Sequence, residues 1–184
     1  MRITGGIHRS RKLETPKNDA VRPTSDKVRQ AIFNMLNARG LVRDAIVIDA
    51  FCGTGALGLE ALSQGASFCT FFDKNKNSIQ LCKNNIESLG EEKNTKVILQ
   101  DVTKLNLSSD KFAKARLVFL DPPYYQDLVV KAINSLIDND WLSKECFFVI
   151  ETAKNETIIS DHIEIVNQKI YGDTQVILAQ LKSR

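Results

Sequence analysis

The feature that most constrains how this chain folds is a regular alternation of short apolar runs with segments of helical periodicity. The apolar runs, which predict buried strands, are 45–51, 67–73, 96–99, 117–120 and 146–150. Helices are predicted from about 56 to 65, 77 to 89 and 128 to 137, and an earlier one runs from a cap at Thr24 or Ser25 to a stop at Gly40. This alternation predicts an α/β fold with an open, mostly parallel sheet covered on both faces. Two last runs, 162–170 and 175–181, predict an antiparallel hairpin at the C-terminus.

Composition limits the protein class. With 184 residues, 43% hydrophobic and 26% charged, the chain suits one soluble globular domain. No apolar run approaches the roughly 20 residues that span a bilayer, and the N-terminus lacks the apolar stretch of a secretory signal. We therefore expect a cytoplasmic protein with no membrane segment. The four cysteines are scattered without a C-x-x-C pair and there are two histidines, so we expect reduced thiols, no disulfide framework and no metal site.

Charge divides the chain into two parts. Residues 1–43 contain ten basic and three acidic residues, a net charge of +7, whereas the remainder contains 15 basic and 19 acidic residues, a net charge of −4. A basic segment ahead of a mildly acidic body is typical of an arm that binds a polyanion. We predict a basic extension over 1–43 packed on a domain over 44–184, with a merely solvated basic terminus as the alternative.

A glycine-rich loop follows the first predicted strand. Gly53, Gly55 and Gly58 match G-x-G-x-x-G, a pattern whose glycines let backbone N–H groups approach a ligand at the start of a helix. Asp73 follows Gly53 by 20 residues, where a carboxylate can bind ribose hydroxyls. Because the pattern also marks dinucleotide-binding domains, the loop alone leaves the ligand open.

Carboxylates at the predicted strand ends narrow the choice of ligand. Ligands of such sheets bind beyond the carboxyl ends of the strands, where the sequence places Asp49, Asp73, Asp101 and Asp121. Asp49 lies four residues before Gly53; it would repel a pyrophosphate and attract a cation. S-adenosylmethionine carries an ammonium and a sulfonium and no phosphate, so Asp49 favours that ligand over a dinucleotide.

The fourth predicted strand ends in Asp121-Pro122-Pro123-Tyr124. The amino nitrogen of a nucleobase is a poor nucleophile, because its lone pair is delocalised into the ring, and two hydrogen-bond acceptors on its N–H bonds help it to face a methyl donor. Asp121 supplies a carboxylate and Pro122 a carbonyl, while Tyr124 offers a ring on which a flipped-out base can stack. Asp121-Pro122-Pro123 could also form a plain turn, but the position after a buried strand and a glycine loop makes that interpretation the weaker one.

Together these motifs resemble the amino-methyltransferases of the class I (Rossmann-like) superfamily and, more narrowly, the bacterial RsmD family of 16S ribosomal RNA guanine-N2 methyltransferases. The blocks that carry the resemblance are Met1–Ile3, Gly5-Gly6, Arg9–Leu13, Arg22–Thr24, Val28-Arg29, Asp49–Leu62, Leu117–Tyr124 and Trp141-Leu142. The resemblance covers nearly the whole chain. It implies a seven-stranded sheet in which the C-terminal hairpin supplies the antiparallel strand.

The resemblance also implies roles for individual residues. S-adenosylmethionine would be the cofactor, lined by Asp49, Phe51, Cys52, Gly53 and Gly55 around its methionine end, with Asp73 on the ribose and Asp101 near the adenine. Asp121, Pro122 and Tyr124 would act on the target amine, and Arg9, Arg11, Lys12 and Arg22 would bind RNA. Two departures from the family stand out, since Asp73 replaces a more usual glutamate and Cys52 a smaller residue.

The expected activity is methyl transfer to the exocyclic N2 of a guanine in 16S ribosomal RNA, of the guanine(966)-N(2) type. The expected partner is ribosomal RNA or the assembling small ribosomal subunit, and we expect a monomer. Two alternatives remain at this point: an adenine-N6 methyltransferase acting on DNA or RNA, and a non-catalytic RNA-binding assembly protein. The motifs leave open the base and whether the substrate is naked RNA or an assembled particle.

Overall fold

A computed structural model of the protein describes residues 1–16, 25–106, 113–123 and 127–182. Its centre is a seven-stranded sheet with the strand order β3-β2-β1-β4-β5-β7-β6. The strands are β1 Ile46–Asp49, β2 Phe68–Asp73, β3 Thr95–Leu99, β4 Ala115–Leu120, β5 Leu142–Ala153, β6 Ile163–Tyr171 and β7 Thr174–Leu181. The first five run parallel, and β7 pairs antiparallel with both β5 and β6. The predicted fold class is therefore confirmed.

The helices are α1 Asp26–Asn37, α2 Ala56–Ser63, α3 Lys76–Leu89 and α4 Leu128–Asp138 within the described residues. Ser25 caps the N-terminus of α1, and its side chain accepts a hydrogen bond from the Val28 N–H, as expected of a capping serine. Gly90 follows the last residue of α3 and has the left-handed conformation of a helix C-cap. Both ends agree with the sequence prediction.

Strand β5 is longer than the predicted 146–150. It begins at Leu142, and between Leu142 and Phe147 its register with β4 is interrupted, so burial does not alternate regularly there. At its other end it continues to Ala153 by pairing with β7 alone. The extra length therefore depends on neighbouring strands that are distant in sequence, which a local pattern does not reveal.

The core has two layers, one on each face of the sheet. On one face, Val47, Phe119 and Val149 pack against α1, α2 and α3, and the rings of Phe33 and Phe119 lie 5.6 Å apart. On the other face, the alternate strand residues pack against α4, and Trp141 meets Phe72 edge-on at 5.2 Å. Successive strand residues contribute to opposite layers, as the pleat of a sheet requires.

The N-terminal residues pack into the first layer. Ile3 and Leu13 are buried there, and an antiparallel bridge joins Arg2 to Lys12. Helix α1 contributes Phe33 to the same layer. The N-terminal segment, α1 and the α2 helix therefore share one core.

All four cysteines are free and buried. Among the described residues, no helix has the length and apolar character needed to cross a membrane. Within the same residues, no group of three or more His, Cys, Asp or Glu side chains is arranged to hold a metal ion.

Candidate active site

The carboxyl ends of β1, β2 and β4 lie side by side. Asp49, the last residue of β1, pairs with Phe71 of β2 on one side and with Phe119 of β4 on the other. The chain beyond β1 stays attached to both neighbours, because the Ala50 N–H donates to the Phe119 carbonyl at 3.0 Å and the Cys52 N–H to the Phe72 carbonyl at 2.9 Å. The glycine loop therefore opens between the ends of β2 and β4.

The glycines of the loop differ in what surrounds them. Gly55, at φ +79°, lies so close to α3 that a Cβ there would be 2.7 Å from Cys82 Sγ, and a Cβ on Gly58 would be 2.3 Å from the Phe71 ring. Gly53, at φ +51°, has open space where a Cβ would point. Two glycines thus let the loop pack closely on the protein, and the third leaves its backbone accessible to a ligand.

Asp49 is buried beneath the loop. Its Oδ2 accepts a hydrogen bond from the Gly58 N–H at 2.9 Å, in the first turn of α2. Burial raises the pKa of this carboxyl to about 7, against the hydrogen bond from Gly58 and with a further contribution from the negative charge of Asp73. Burial disfavours the charged form, so a cation brought to this position would favour ionisation of the group.

Asp73, the last residue of β2, holds the loop from the other side. Its Oδ2 accepts from the Gly53 N–H at 3.0 Å and its Oδ1 from the Asn75 N–H at 2.8 Å. A carboxylate has about four acceptor positions, so these two backbone bonds leave capacity for ribose hydroxyls. Asp73 is partly exposed.

Asp101 lies after β3, the third strand end. It caps a short 3₁₀ turn, Val102–Lys104, because its Oδ1 accepts from the Thr103 N–H at 3.0 Å and from Thr103 Oγ1 at 2.7 Å. Partial burial raises the pKa of this carboxyl, but the Thr103 hydrogen bonds and the charges of Lys74 and Lys104 outweigh it, so that the net pKa is lowered. Asp101 is thus an ionised group at neutral pH.

Phe51 and Cys52 complete the start of the loop. Phe51 is half-buried and packs on the second core layer, whereas Cys52 is buried and belongs to the first. A hydrogen bond with the Cys82 thiol, together with burial, raises the pKa of the Cys52 thiol well above its usual value. Cys52 therefore stays a neutral thiol that packs the loop against α3.

The acceptor motif follows β4 directly. Asp121 is partly buried, Pro122 is buried and Pro123 is exposed. Tyr124, the predicted stacking residue, lies outside the described residues. The structure thus brings Asp121 and Pro122 to the strand end beside the glycine loop, as the strand-end argument predicts.

Three of the predicted RNA-binding residues are exposed on the N-terminal segment. Arg9, Arg11 and Lys12 all face solvent, and the Arg11 guanidinium donates to the Ser88 carbonyl at 2.5 Å at the end of α3. Arg22, the fourth, lies outside the described residues. The exposed cations sit on a segment whose other side is anchored in the core.

The anchor is Glu60, a residue that our sequence reasoning missed. This carboxylate on α2 is fully buried. Its Oε2 accepts hydrogen bonds from the Thr4 N–H at 2.8 Å and from Arg29 Nε at 3.1 Å, and its Oε1 accepts one from the Gly5 N–H at 2.8 Å. Arg29 is itself buried and also donates to the Arg2 carbonyl and to Asp26. An acid inside the otherwise apolar helix sequence Ala56–Ser63 was the signal that could have identified it.

Comparisons with known proteins agree with this geometry. A solved structure described as a putative methyltransferase from Escherichia coli superposes with a TM-score of 0.84 at 31% identity, covering 100% of this chain and 99% of that one. The fold and the strand-end site define a class I methyltransferase, and the protein is an enzyme of this class.

The particular family follows from the sequence comparisons. The family model described as "Conserved hypothetical protein 95" matches residues 1–180, and the chain belongs to this family. It is similar to the ribosomal RNA small subunit methyltransferase D of Escherichia coli, at 36% identity over 83% of this chain and 74% of the relative. The protein of the same name from Haemophilus influenzae is 33% identical, over 94% of this chain and 89% of that relative. The resemblance to the RsmD family is therefore confirmed.

Proposed function

We propose that this protein transfers a methyl group from S-adenosylmethionine to the exocyclic N2 of a guanine in 16S ribosomal RNA. It would then be a methyltransferase of the guanine(966)-N(2) type. The relatives named small subunit methyltransferase D support the ribosomal substrate. The observation that carries the proposal is the bond between the Ala50 N–H and the Phe119 carbonyl. This bond joins the start of the glycine loop to the strand that precedes Asp121, which supports a cofactor site and an amine site next to each other.

The residues of the glycine loop fit this cofactor. Gly53 leaves its side of the loop open, Asp73 retains acceptor capacity for ribose hydroxyls, and buried Asp49 gains from a nearby ammonium. S-adenosylmethionine has no phosphate, so the site needs no positive side chain to bind one, and an ionised Asp49 would repel a phosphate. When bound, the cofactor supplies a methyl group activated by its attachment to a sulfonium.

The protein's own contribution to the transfer lies on the acceptor side. Asp121 accepts a hydrogen bond from the target amine and stabilises the positive charge that develops on its nitrogen. The Pro122 carbonyl is the second acceptor, and the burial of Pro122 holds it in place. Stacking on Tyr124 remains a prediction. The exposed cations Arg9, Arg11 and Lys12 contact RNA phosphates, which position the substrate without specifying its sequence.

The test is to identify the product. Purified protein is incubated with labelled S-adenosylmethionine and either 16S ribosomal RNA or small-subunit particles that lack this modification, and the RNA is digested to nucleosides. We expect N2-methylguanosine from the parent and almost none from Asp121→Ala. N6-methyladenosine would contradict the guanine assignment, and an absence of cofactor binding by calorimetry would support the non-catalytic alternative.

A further inference from the structure

Asn85 of α3 connects the N-terminal segment to the glycine loop. Its side chain is buried, with 1% exposed. Its Oδ1 accepts a hydrogen bond from the Glu14 N–H at 2.7 Å, and its Nδ2 donates to the Glu14 carbonyl at 3.1 Å. The same Nδ2 donates to the Thr54 carbonyl at 2.9 Å. One buried amide therefore binds the backbone of two segments that are distant in sequence.

The Thr54 carbonyl lies in the part of the glycine loop that most needs support. Thr54 stands between Gly53 at φ +51° and Gly55 at φ +79°, and glycine has more conformational freedom to lose than any other residue. Bonds to neighbouring elements must therefore fix the backbone of the loop. Asp73 holds the Gly53 N–H from one side, and Asn85 holds the Thr54 carbonyl from the other. Asn85 thus orients the peptide between Thr54 and Gly55 at the proposed cofactor site.

The other partner, Glu14, continues the stretch that carries the exposed cations. Lys12 pairs with Arg2 in an antiparallel bridge, and the Leu13 N–H donates to the Met1 carbonyl at 3.2 Å. Glu14 follows directly and bonds Asn85 through both its N–H and its carbonyl. A phosphate held by Lys12 would therefore restrict the chain two residues before the bridge to the glycine loop.

We propose that Asn85 is a positioning residue that couples RNA binding on the N-terminal segment to cofactor binding on the glycine loop. This inference rests on the proposed function, in which Arg9, Arg11 and Lys12 contact phosphates. Either ligand restricts one of the two segments that Asn85 joins, and a ligand that meets a segment already restricted loses less conformational entropy. Each ligand therefore raises the affinity for the other by the same factor, as linkage requires.

The experiment measures this coupling directly. S-adenosylhomocysteine keeps the ammonium and the ribose of the cofactor but has no methyl group to transfer, so it is titrated calorimetrically into the full-length protein with and without saturating 16S ribosomal RNA. The proteins are the parent, Asn85→Ala and the control Asn84→Ala. Asn84 lies on the same helix and donates to the Glu14 carboxylate at 3.1 Å, so the control also alters a contact with the N-terminal segment. The readout is the ratio of the two dissociation constants for each protein.

We expect RNA to raise the affinity of the parent and of Asn84→Ala for S-adenosylhomocysteine by at least about 5-fold, the lower end of the usual coupling between two sites. In Asn85→Ala the ratio should fall towards unity, because the bridge between the two segments is missing. Without RNA, this variant should bind S-adenosylhomocysteine about 2- to 10-fold more weakly than the parent, the range for one neutral hydrogen bond.

Hydrogen exchange gives a second reading that needs no variant. The Glu14 N–H donates to the buried side chain of Asn85, so its exchange with solvent reports how often this bond opens. S-adenosylhomocysteine binds at the glycine loop, yet it should slow the exchange of the Glu14 N–H in the parent. Unchanged exchange at a saturating concentration would contradict the link.

A matched pair of variants at Glu14 tests the same link from the N-terminal segment. Glu14→Pro removes the N–H that donates to Asn85, whereas Glu14→Ala removes the side chain and keeps this N–H. Neither substitution changes α3 or the glycine loop. Glu14→Pro should therefore lose most of the RNA-dependent gain in affinity and Glu14→Ala should keep it. This pair still tests the proposal if Asn85→Ala folds poorly.

Coupling of parental size in Asn85→Ala and in Glu14→Pro would overturn the inference, because RNA and cofactor would then influence each other by another route. A parent that binds both ligands without any effect of one on the other would overturn it as well. A parent that binds no S-adenosylhomocysteine, or no RNA, would overturn the proposed function instead. The two kinds of failure are therefore distinguishable.

Discussion

The carboxylates of the proposed cofactor half of the site and the carboxylate of its proposed acceptor half are held in different ways. Asp49 and Asp73 each accept a hydrogen bond from a backbone N–H of the glycine motif, of Gly58 and Gly53 respectively. Asp121 instead directly follows Leu120, the last residue of β4, which pairs with Ile150 of β5. In the proposed cofactor half the acids hold the glycine loop, and in the proposed acceptor half the acid follows the end of a strand.

This difference has an energetic consequence. Removal of a loop-anchored acid takes away a partner of buried backbone groups, so it should affect both stability and cofactor binding. Removal of Asp121 should leave the glycine loop intact and affect the rate of methyl transfer. The predictions below test this separation.

The largest effect is expected on stability, at Glu60 of α2. Glu60→Ala leaves buried Arg29 without its fully buried partner and removes the acceptor of the Thr4 and Gly5 N–H groups. Breaking a buried ion pair in this way costs about 3–5 kcal/mol. Chemical denaturation of the parent, Glu60→Ala and the exposed control Glu87→Ala would measure it. A loss equal to that of the control would mean that the N-terminal segment is not anchored through α2.

The next effect is on turnover, at Asp121. Asp121→Ala should lower the rate of methyl transfer by roughly two to three orders of magnitude, the scale for one preorganised electrostatic contact. Cofactor affinity, measured by calorimetry, should stay nearly unchanged because the glycine loop does not depend on Asp121. Loss of cofactor affinity to the same extent would contradict the division of the site into two halves.

Asp73 should show the opposite pattern. If it binds the ribose hydroxyls, Asp73→Ala weakens cofactor binding by about 1.5–3 kcal/mol, as expected for charge-assisted hydrogen bonds. The substitution also removes the hydrogen bond from the Gly53 N–H to Asp73 Oδ2, which orients this part of the loop. RNA affinity is the internal control and should not change. Equal cofactor affinity in mutant and parent would exclude the ribose role.

The sequence predicted most of the fold because its strands are apolar and its helices have clear starts and stops, as at Ser25 and Gly90. It also predicted which strand ends would meet, since that follows from parallel topology alone. It missed the full extent of β5, which depends on pairing with β7. It missed Glu60 as well, because the partners Thr4, Gly5 and Arg29 are distant in sequence and the one local signal was an acid within an apolar helix sequence.

Asp49 gives a dependence on pH with a definite sign. Its pKa is raised from 3.8 to about 7 in the folded protein, so the folded state binds more protons than the unfolded state between these values. The free energy of unfolding of the ligand-free protein should therefore fall as pH rises through this window and level off above it. A cofactor ammonium favours the ionised form, so affinity should rise roughly tenfold from pH 6 to pH 8.

The variant Asp49→Asn separates these effects. It keeps an oxygen that can accept from the Gly58 N–H but has no charge to lose. Its cofactor affinity should be low and flat with pH, and it should be more stable than the parent above pH 7 when no ligand is bound. Thermal melting across a pH series measures the stability, and calorimetry across the same series measures the cofactor affinity. Parallel pH profiles for mutant and parent would show that another group controls cofactor binding.

The smallest effect on the folded protein, and the one most specific to RNA, concerns the basic arm. Arg9, Arg11 and Lys12 are exposed, so their side chains contribute little to stability. If they contact phosphates, binding releases counterions, and replacing all three by alanine should reduce the slope of log affinity against log salt by about 2, at roughly 0.7 per contact on single-stranded RNA. Affinity should fall similarly for cognate and unrelated RNA, because phosphate contacts carry no sequence information.

A second triple mutant controls for net charge. Lys131, Lys144 and Lys169 are also exposed but lie on α4, β5 and β6, away from the N-terminal segment. Their replacement by alanine removes the same charge and should leave the slope close to that of the parent, while both triple mutants keep the cofactor affinity and melting temperature of the parent. If the two triple mutants change the slope equally, the effect belongs to overall charge rather than to the arm. If the arm mutant keeps the parental slope, the arm only covers α2 and α3, and the phosphate contacts of the acceptor half must come from another surface.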